Sequence, residues 1–358
     1  MKKLLGVVVA IVLLAGAGAG GYAYLLYKAT EEPYQGYPAG TPRFVEIAPG
    51  TSTQGIGRQL IEAGVVRDER VYRAALWRSG HARRLQAGEY RFDQPMNALD
   101  AIGKIARGEV DTHPITFREG LTIAEMAQVY AASGLGSAPA FVDAARNAAL
   151  IRSLDPEARD LEGYLFPETY QLTRRMTAGD LVRAMVDRFT RSLTPEIVAA
   201  ARARGLSVRQ LVTLASLVEK ETGKADERPL VASVYSNRLR INMALQCDPT
   251  VIYALQRAGR FDGNLRRDDL QFDSPYNTYR YPGLPPGPVA APGLDSLRAA
   301  ASPADTEYLY FVSRNDGSHA FAATLGEHNR NVQRFQIEYF RQKRLAARRA
   351  ARQGAGAP

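Results

Sequence analysis

From Leu4 to Tyr27 the chain carries no charged residue, while Lys2 and Lys3 stand just before this run. A bilayer core takes roughly 20 apolar residues to cross, so the run is long enough to span. A cleaved export signal has a shorter apolar region, typically ~7–15 residues, followed by a small-residue site. Ala15-Gly16-Ala17 resembles such a site, yet apolar residues continue well past it. Tyr22, Tyr24 and Tyr27 gather at the far end, as an interfacial aromatic belt does. The lysines before the run and Glu31 and Glu32 after it place the N-terminus in the cytoplasm. The expectation is an uncleaved single-pass anchor in the cytoplasmic (inner) membrane. Everything from about Lys28 onward would lie on the periplasmic or extracytoplasmic side. Gly16, Gly18 and Gly21 match G-x-G-x-x-G but lack a strand before them and are no dinucleotide site. Gly16 and Gly20 carry a weak small-residue pairing signal.

The rest of the 358-residue chain is ordinary for a folded protein, and its formal net charge is +9. A basic balance favours anionic lipid, an anionic wall polymer or nucleic acid, and an export-oriented anchor argues against the last. Part of the excess sits in the tail, where Lys343, Arg344, Arg348, Arg349 and Arg352 cluster; a solvated helical end is the plainer reading. The lone Cys247 rules out an internal disulfide. His81, His113, His319 and His328 show no metal-ligand spacing, so zinc chemistry is not expected.

The expected fold class is α+β, behind the N-terminal transmembrane helix of residues 1–28. Residues 29–42 are rich in Pro and Gly and read as a linker. In residues 43–110, RFVEIA alternates as a strand, and Thr53 can cap a helix to about Ala63. A second helix follows from about Asp68 to Ser79, and GEYRF returns as a strand. This βααβ order resembles the small glycan-binding LysM module. A helix from about Asn97 to Arg107 ends at Gly108. Residues 111–154 form a connecting strand, Ile115 to Arg118, and an Ala-rich helical region beginning at Ile123. A larger mixed α+β domain covers 155–342, and 343–358 is the basic tail.

Within the larger domain, Leu211, Val212, Leu214, Ala215, Leu217 and Val218 fill most of a helix circumference, leaving Arg209, Thr213, Ser216 and Lys220 as a polar stripe. Such a helix is buried on most sides. Glu219 and Glu221 close it, on different faces. A carboxyl set against leucines is desolvated and stays protonated near neutral pH, as an acid catalyst of glycosidic cleavage must. Solvated or lysine-paired glutamates at a helix end are the plain alternative, and periodicity does not choose between the two positions.

Five stretches, LEGYLFPETY, ASLVEKET, ERPLVASVYSNRLRINMALQCDPTVIYAL, YNTYRYPGLPPGPVAAPG and SLRAAASPADTEYLYFV, are collinear with the endolytic murein transglycosylase family. The resemblance spans nearly the whole chain, anchor included. It implies that Glu221, the second glutamate of EKET, is the acid/base, and that the larger domain is catalytic. It also implies a non-hydrolytic cut of the β-1,4 bond between N-acetylmuramic acid and N-acetylglucosamine. A 1,6-anhydro end would remain, with no metal or cofactor needed. The implied partners are peptidoglycan glycan strands, cut while nascent so that strand length is limited, the membrane, and the synthesis machinery.

Glu162, Tyr164 and Tyr170 could line the cleft, or serve core and turn. Gln246, Asp248 and Thr250 could bond sugar hydroxyls, or cap the turn at Asp248-Pro249. Asn277, Thr278 and Tyr279 precede a loop stiffened by Pro282, Pro285 and Pro286 and are candidate substrate contacts. Glu219 suits a structural ion pair, and Cys247 reads as filler. A wall-binding scaffold without catalysis is the rival from another class; a hydrolase would need a second carboxylate, Asp248 or Glu162.

Overall fold

The computed structural model describes residues 2–354, and the chain divides into two compact units: residues 1–114 with 171–175, and residues 115–170 with 176–358. In the first unit, α1 (Lys2–Ala29) is followed by β1 (Arg43–Ile47), α2 (Thr53–Glu62), α3 (Glu69–Ser79), β2 (Gly88–Phe92) and α4 (Ala98–Arg107). The strand–helix–helix–strand order expected from the sequence is present. β1 and β2 pair antiparallel, with Val45 opposite Tyr90. Helix α1 is long and apolar enough from Leu4 to Ala29 to cross a bilayer; it is solvent-exposed from Leu4 to Leu25, while Leu26 and Ala29 pack against the core of the unit. Ser52, one residue before the expected Thr53, caps α2 by accepting from the Gly55 amide. Asp68 caps α3 through the Arg70 and Val71 amides. Gly108 closes α4 in the left-handed conformation that lets its amide reach back to the last turn. Ile47, Leu60, Tyr90, Phe92, Ile102 and Ile105 form the core of this unit.

The chain leaves the first unit within β3 (His113–Thr116), two residues earlier than the expected strand, and passes back through it at the end of β4 (Thr169–Leu172). The second unit opens with α5 (Ile123–Ala132) and α6 (Ala138–Ala145), and after β4 continues into α7 (Ala178–Ser192) and α8 (Pro195–Ala203). Helices α9 (Val208–Glu221), α10 (Arg228–Arg240), α11 (Asp248–Arg257) and α12 (Leu294–Ala301) follow. An antiparallel hairpin of β5 (Tyr310–Ser313) and β6 (His319–Ala322), α13 (Leu325–Val332) and α14 (Tyr339–Gly354) complete it. The side chains of Arg348, Arg349 and Arg352 in the basic tail lie outside the described residues.

Helix α9 is the axis of this unit, with α8, α10, α11 and α12 packed around it. Its start is fixed by a reciprocal cap, Ser207 Oγ accepting from the Gln210 amide and Gln210 returning to the Ser207 amide. Every residue from Leu211 to Val218 is buried, Thr213 and Ser216 of the expected polar stripe included, while Arg209 is half-buried and Lys220 exposed. Ser216 Oγ donates to Thr213 O at 2.7 Å and accepts from the Val289 amide at 3.1 Å. Gly163 has φ +82°, and a Cβ there would stand 2.4 Å from Pro288 and 3.1 Å from Val212. The glycine in LEGYLF is therefore required both by its backbone and by the close approach of the 286–289 loop to α9.

Leu214 is fully buried at the middle of α9. Leu214→Ala should lower unfolding free energy by ~2–5 kcal/mol, the range for emptying such a site. Urea denaturation of the soluble region should show it as a lower midpoint with little change of slope.

Candidate active site

The two glutamates that end α9 meet different surroundings. Glu219 Oε1 lies 3.2 Å from Arg228 of α10, and its Oε2 accepts from the Gly293 amide at 2.9 Å. Arg228 also reaches Glu119 at 3.3 Å. Glu219 is thus held in a buried ion pair, tying α9 to α10 and to the start of α12.

Glu221 has no salt-bridge partner among the described residues. Its Oε1 accepts from the Tyr235 hydroxyl at 2.7 Å and from the Cys247 thiol at 3.2 Å. Burial pushes both donors well above their ordinary pKa, so each keeps its proton to give. The pKa of Glu221 is raised, chiefly by burial, against the lowering effect of the hydrogen bonds from Tyr235 and Cys247; nearby Asp248 raises it and His319 lowers it. The helix end adds to this, because the carbonyl pole of α9 disfavours an anion. The other oxygen, Oε2, has no hydrogen-bond partner among the described residues and is not sealed from solvent, since the side chain is only half-buried. One oxygen is therefore anchored and the other faces outward.

Three segments converge to make this setting. Cys247 stands at the start of α11, where its amide donates to Thr278 Oγ1 at 3.0 Å. Thr250 Oγ1 lies 2.7 Å from Cys247 O and 2.9 Å from Thr278 Oγ1, so threonine hydroxyls lock the 274–280 loop to α11. Arg238 of α10 is buried and donates to Leu245 O at 2.8 Å and Leu309 O at 2.7 Å, joining the segment before Cys247 to the chain entering β5. From β6, His319 Nδ1 lies 2.7 Å from Glu227 Oε2, which also accepts from Thr222 Oγ1 at 3.2 Å. Burial alone would raise the Glu227 carboxyl; the His319 bonds outweigh it and hold it below the usual range.

The candidates from the sequence separate into groups. Asp248 and Tyr279 lie beside Glu221, joined by a hydrogen bond from the Tyr279 hydroxyl, and Asp248 is exposed. Gln246 is exposed as well, with φ +49°, and its amide donates to Thr278 O at 3.2 Å. Asn277 is fully buried, and its side chain is spent on the loop itself. Its amide donates to Leu270 O and Phe272 O at 3.0 and 2.7 Å, and its oxygen accepts from the Tyr279 amide. Tyr170 turns its hydroxyl to Phe166 O at 2.7 Å and packs edge-on to Phe117. Glu162 shares no partner with Glu221: it accepts from the Ile123 amide at 3.1 Å and the Tyr253 hydroxyl at 3.2 Å. It borders a separate cavity of about 140 Å³ with Arg209, Arg257 and Tyr276.

The sequence reading missed Tyr235, His319 and the part played by Cys247. Tyr235 sits in an otherwise apolar stretch of α10, and a buried tyrosine hydroxyl seeking a partner is the one signal that could have pointed to it.

Fold and site together define an α+β protein with an apolar N-terminal helix and, at the end of a buried helix, a half-buried carboxyl group held by two neutral donors. The chain belongs to the YceG-like family, whose model matches residues 45–334. It is 33% identical over 331 residues to the endolytic murein transglycosylase of Bacillus subtilis, covering 88% of this chain and 90% of that protein. It is 31% identical over 354 residues to the protein of the same name from Streptococcus pneumoniae D39, covering 90% of this chain but 63% of that longer protein. A crystal structure of a YceG-like protein from Listeria monocytogenes aligns with TM-score 0.55 at 29% identity, over 82% of this chain and 99% of the other.

Burial lifts the Glu162 carboxyl to about 8. An unfolded glutamate ionises near 4.3, so between roughly pH 4.3 and 8 the folded chain holds a proton that the unfolded chain has released. Folding stability from this group therefore falls as pH rises through that window. Glu162→Gln removes the charge, keeps an acceptor for the Ile123 amide and turns its NH2 to the Tyr253 hydroxyl, which can rotate to accept, so at pH 8 it should raise stability by roughly 1–3 kcal/mol, read as a higher Tm. The gain should vanish near pH 4, which thermal scans across the range will read.

Proposed function

We propose that this chain is an endolytic lytic transglycosylase of peptidoglycan, with Glu221 as its single acid/base. The names of its relatives supply the substrate class, and the observation that carries the residue assignment is the asymmetry of the Glu221 carboxyl. Oε1 is fixed by Tyr235 and Cys247 while Oε2 is open, on a group whose pKa burial raises.

In the proposed reaction the Oε2 proton passes to the glycosidic oxygen between N-acetylmuramic acid and N-acetylglucosamine, and the C1–O4 bond breaks. The C6 hydroxyl of the muramic acid then closes on C1, and its proton returns to Glu221. A 1,6-anhydro ring forms, and no water is consumed. A two-carboxylate glycosidase needs a second group to activate water or attack the sugar; here the substrate supplies the nucleophile. Gln246, Asp248 and Tyr279 contact sugar hydroxyls or acetamido groups at the mouth, and Asn277 acts through the loop it braces. The βααβ unit is a LysM-like glycan-holding module. Helix α1 anchors the protein in the inner membrane with the catalytic unit outside, where it cuts nascent strands beside the synthesis machinery and limits their length.

Mass spectrometry of purified peptidoglycan incubated with the soluble region should reveal 1,6-anhydro-N-acetylmuramic ends. Glu221→Gln should retain the fold and lose at least 10²–10⁴-fold in rate, the usual weight of a positioned acid/base. Glu219→Gln should instead lower stability, because it leaves Arg228 buried with a weakened partner. Reducing ends would point to a hydrolase, and glycan binding without products to a scaffold.

The Tyr235 hydrogen bond favours the ionised form of Glu221. Its loss in Tyr235→Phe should raise that pKa further, so the alkaline limb of the pH–rate profile should move to higher pH. An unmoved limb would detach Tyr235 from the titration of the acid.

A further inference from the structure

We propose that the outward face of α3 is a lipid-headgroup docking surface: Arg70, Arg73 and Trp77 lie in the phosphate layer of the bilayer that α1 crosses. The inference rests on the reading of α1 as a membrane span, and adds that the folded unit above it is seated on the lipid.

Depth is fixed by contacts within the first unit. Helix α1 rises ~1.5 Å per residue, and a hydrocarbon core of ~30 Å takes up ~20 of them. Counted from Leu4, the core ends near Ala23, so Tyr22 to Tyr27 stand where headgroups begin. Helix α3 lies alongside this stretch. Arg70 Nη1 is 3.5 Å from the Tyr22 hydroxyl. At the other end, the Arg78 guanidinium sits 3.6 Å over the Tyr27 ring and donates to Thr30 Oγ1 at 2.7 Å. Trp77, next to Arg78, is therefore held at about the depth of Tyr27.

The chemistry of the face matches that depth. Residues 70, 73 and 77 project from one side of the helix. Trp77 is the sole tryptophan of the chain and is 86% exposed. A bare indole is out of place in water but suits the membrane interface, where its ring is half apolar and its N–H stays wet. Arg70 has no acidic partner among the described residues, and the Arg73 side chain is 72% exposed. Glu69 is the acid on this face, and it lies 4.0 Å from Arg73. Guanidinium groups at headgroup depth are placed to meet lipid phosphates.

Trp77 is its own reporter. The full chain reconstituted in phosphatidylglycerol-containing vesicles should show blue-shifted emission, several-fold weaker quenching by acrylamide than in detergent, and quenching by lipids labelled near the headgroup. The double variant Arg70→Glu, Arg73→Glu should still float with the vesicles but regain most of the acrylamide quenching. A wild-type chain that floats while Trp77 stays as open to acrylamide as free indole overturns the docking and leaves the anchor standing. A chain that fails to float overturns both.

Discussion

The second unit depends on the burial of α9. An eight-residue stretch, Leu211 to Val218, is buried throughout, and within it the Ser216 hydroxyl is taken up by Thr213 O and the Val289 amide. Because α9 runs buried to Val218, the Glu221 side chain three residues on stands partly withdrawn from water. A carboxylic acid in that position is neutral over a wider pH range than one on the surface. The packing of the core and the protonation state of Glu221 are in this sense one property: loosening the helices around α9 would hydrate the acid and lower its pKa.

Two glutamates two residues apart then acquire different characters from their partners alone. Glu219 turns to a guanidinium and a backbone amide, which compensate its charge. Glu221 turns to a phenol and a thiol, neutral donors that orient the carboxyl without neutralising it, with His319 too far away to bond it. Environments that push similar groups apart are what separate a structural acid from a reactive one. Glu227 offers a third case, its charge compensated by His319.

Much of this was legible in the residues. Although periodicity left Glu219 and Glu221 undistinguished, the α9 periodicity itself, the close of α4 at Gly108 and the βααβ order follow from local pattern, since each depends on neighbours within a few residues. The shell around Glu221 does not. Tyr235 comes from 14 residues away and Cys247 from 26, and His319 arrives on a hairpin whose turn signal, Asn315-Asp316-Gly317, the sequence reading passed over. The thiol read as filler because its polarity matters only once a carboxyl stands beside it. Asn277 stands differently in fold than in sequence: an amide before a Pro- and Gly-rich loop looks available to ligand, and in the structure it is fully buried and holds the carbonyls of Leu270 and Phe272. Polar residues in loops serve either purpose, and only the count of their satisfied bonds distinguishes them.

That accounting also bears on the number of carboxylates the chemistry would use. A hydrolase needs a second carboxylate free to activate water or attack the sugar. Glu227 has both oxygens engaged, by the His319 amide and ring and by Thr222. Glu162 is buried against Ile123 and Tyr253, bordering a different cavity. Asp248 is the acid that remains near Glu221, and the Tyr279 hydroxyl already binds one of its oxygens. Its charge acts on Glu221 by raising the pKa, which helps to retain the proton that an acid step consumes. An exposed Asp248 that keeps its neighbour protonated is better suited to supporting one reactive glutamate than to sharing the reaction with it. That favours a cleavage in which the nucleophile comes from the sugar.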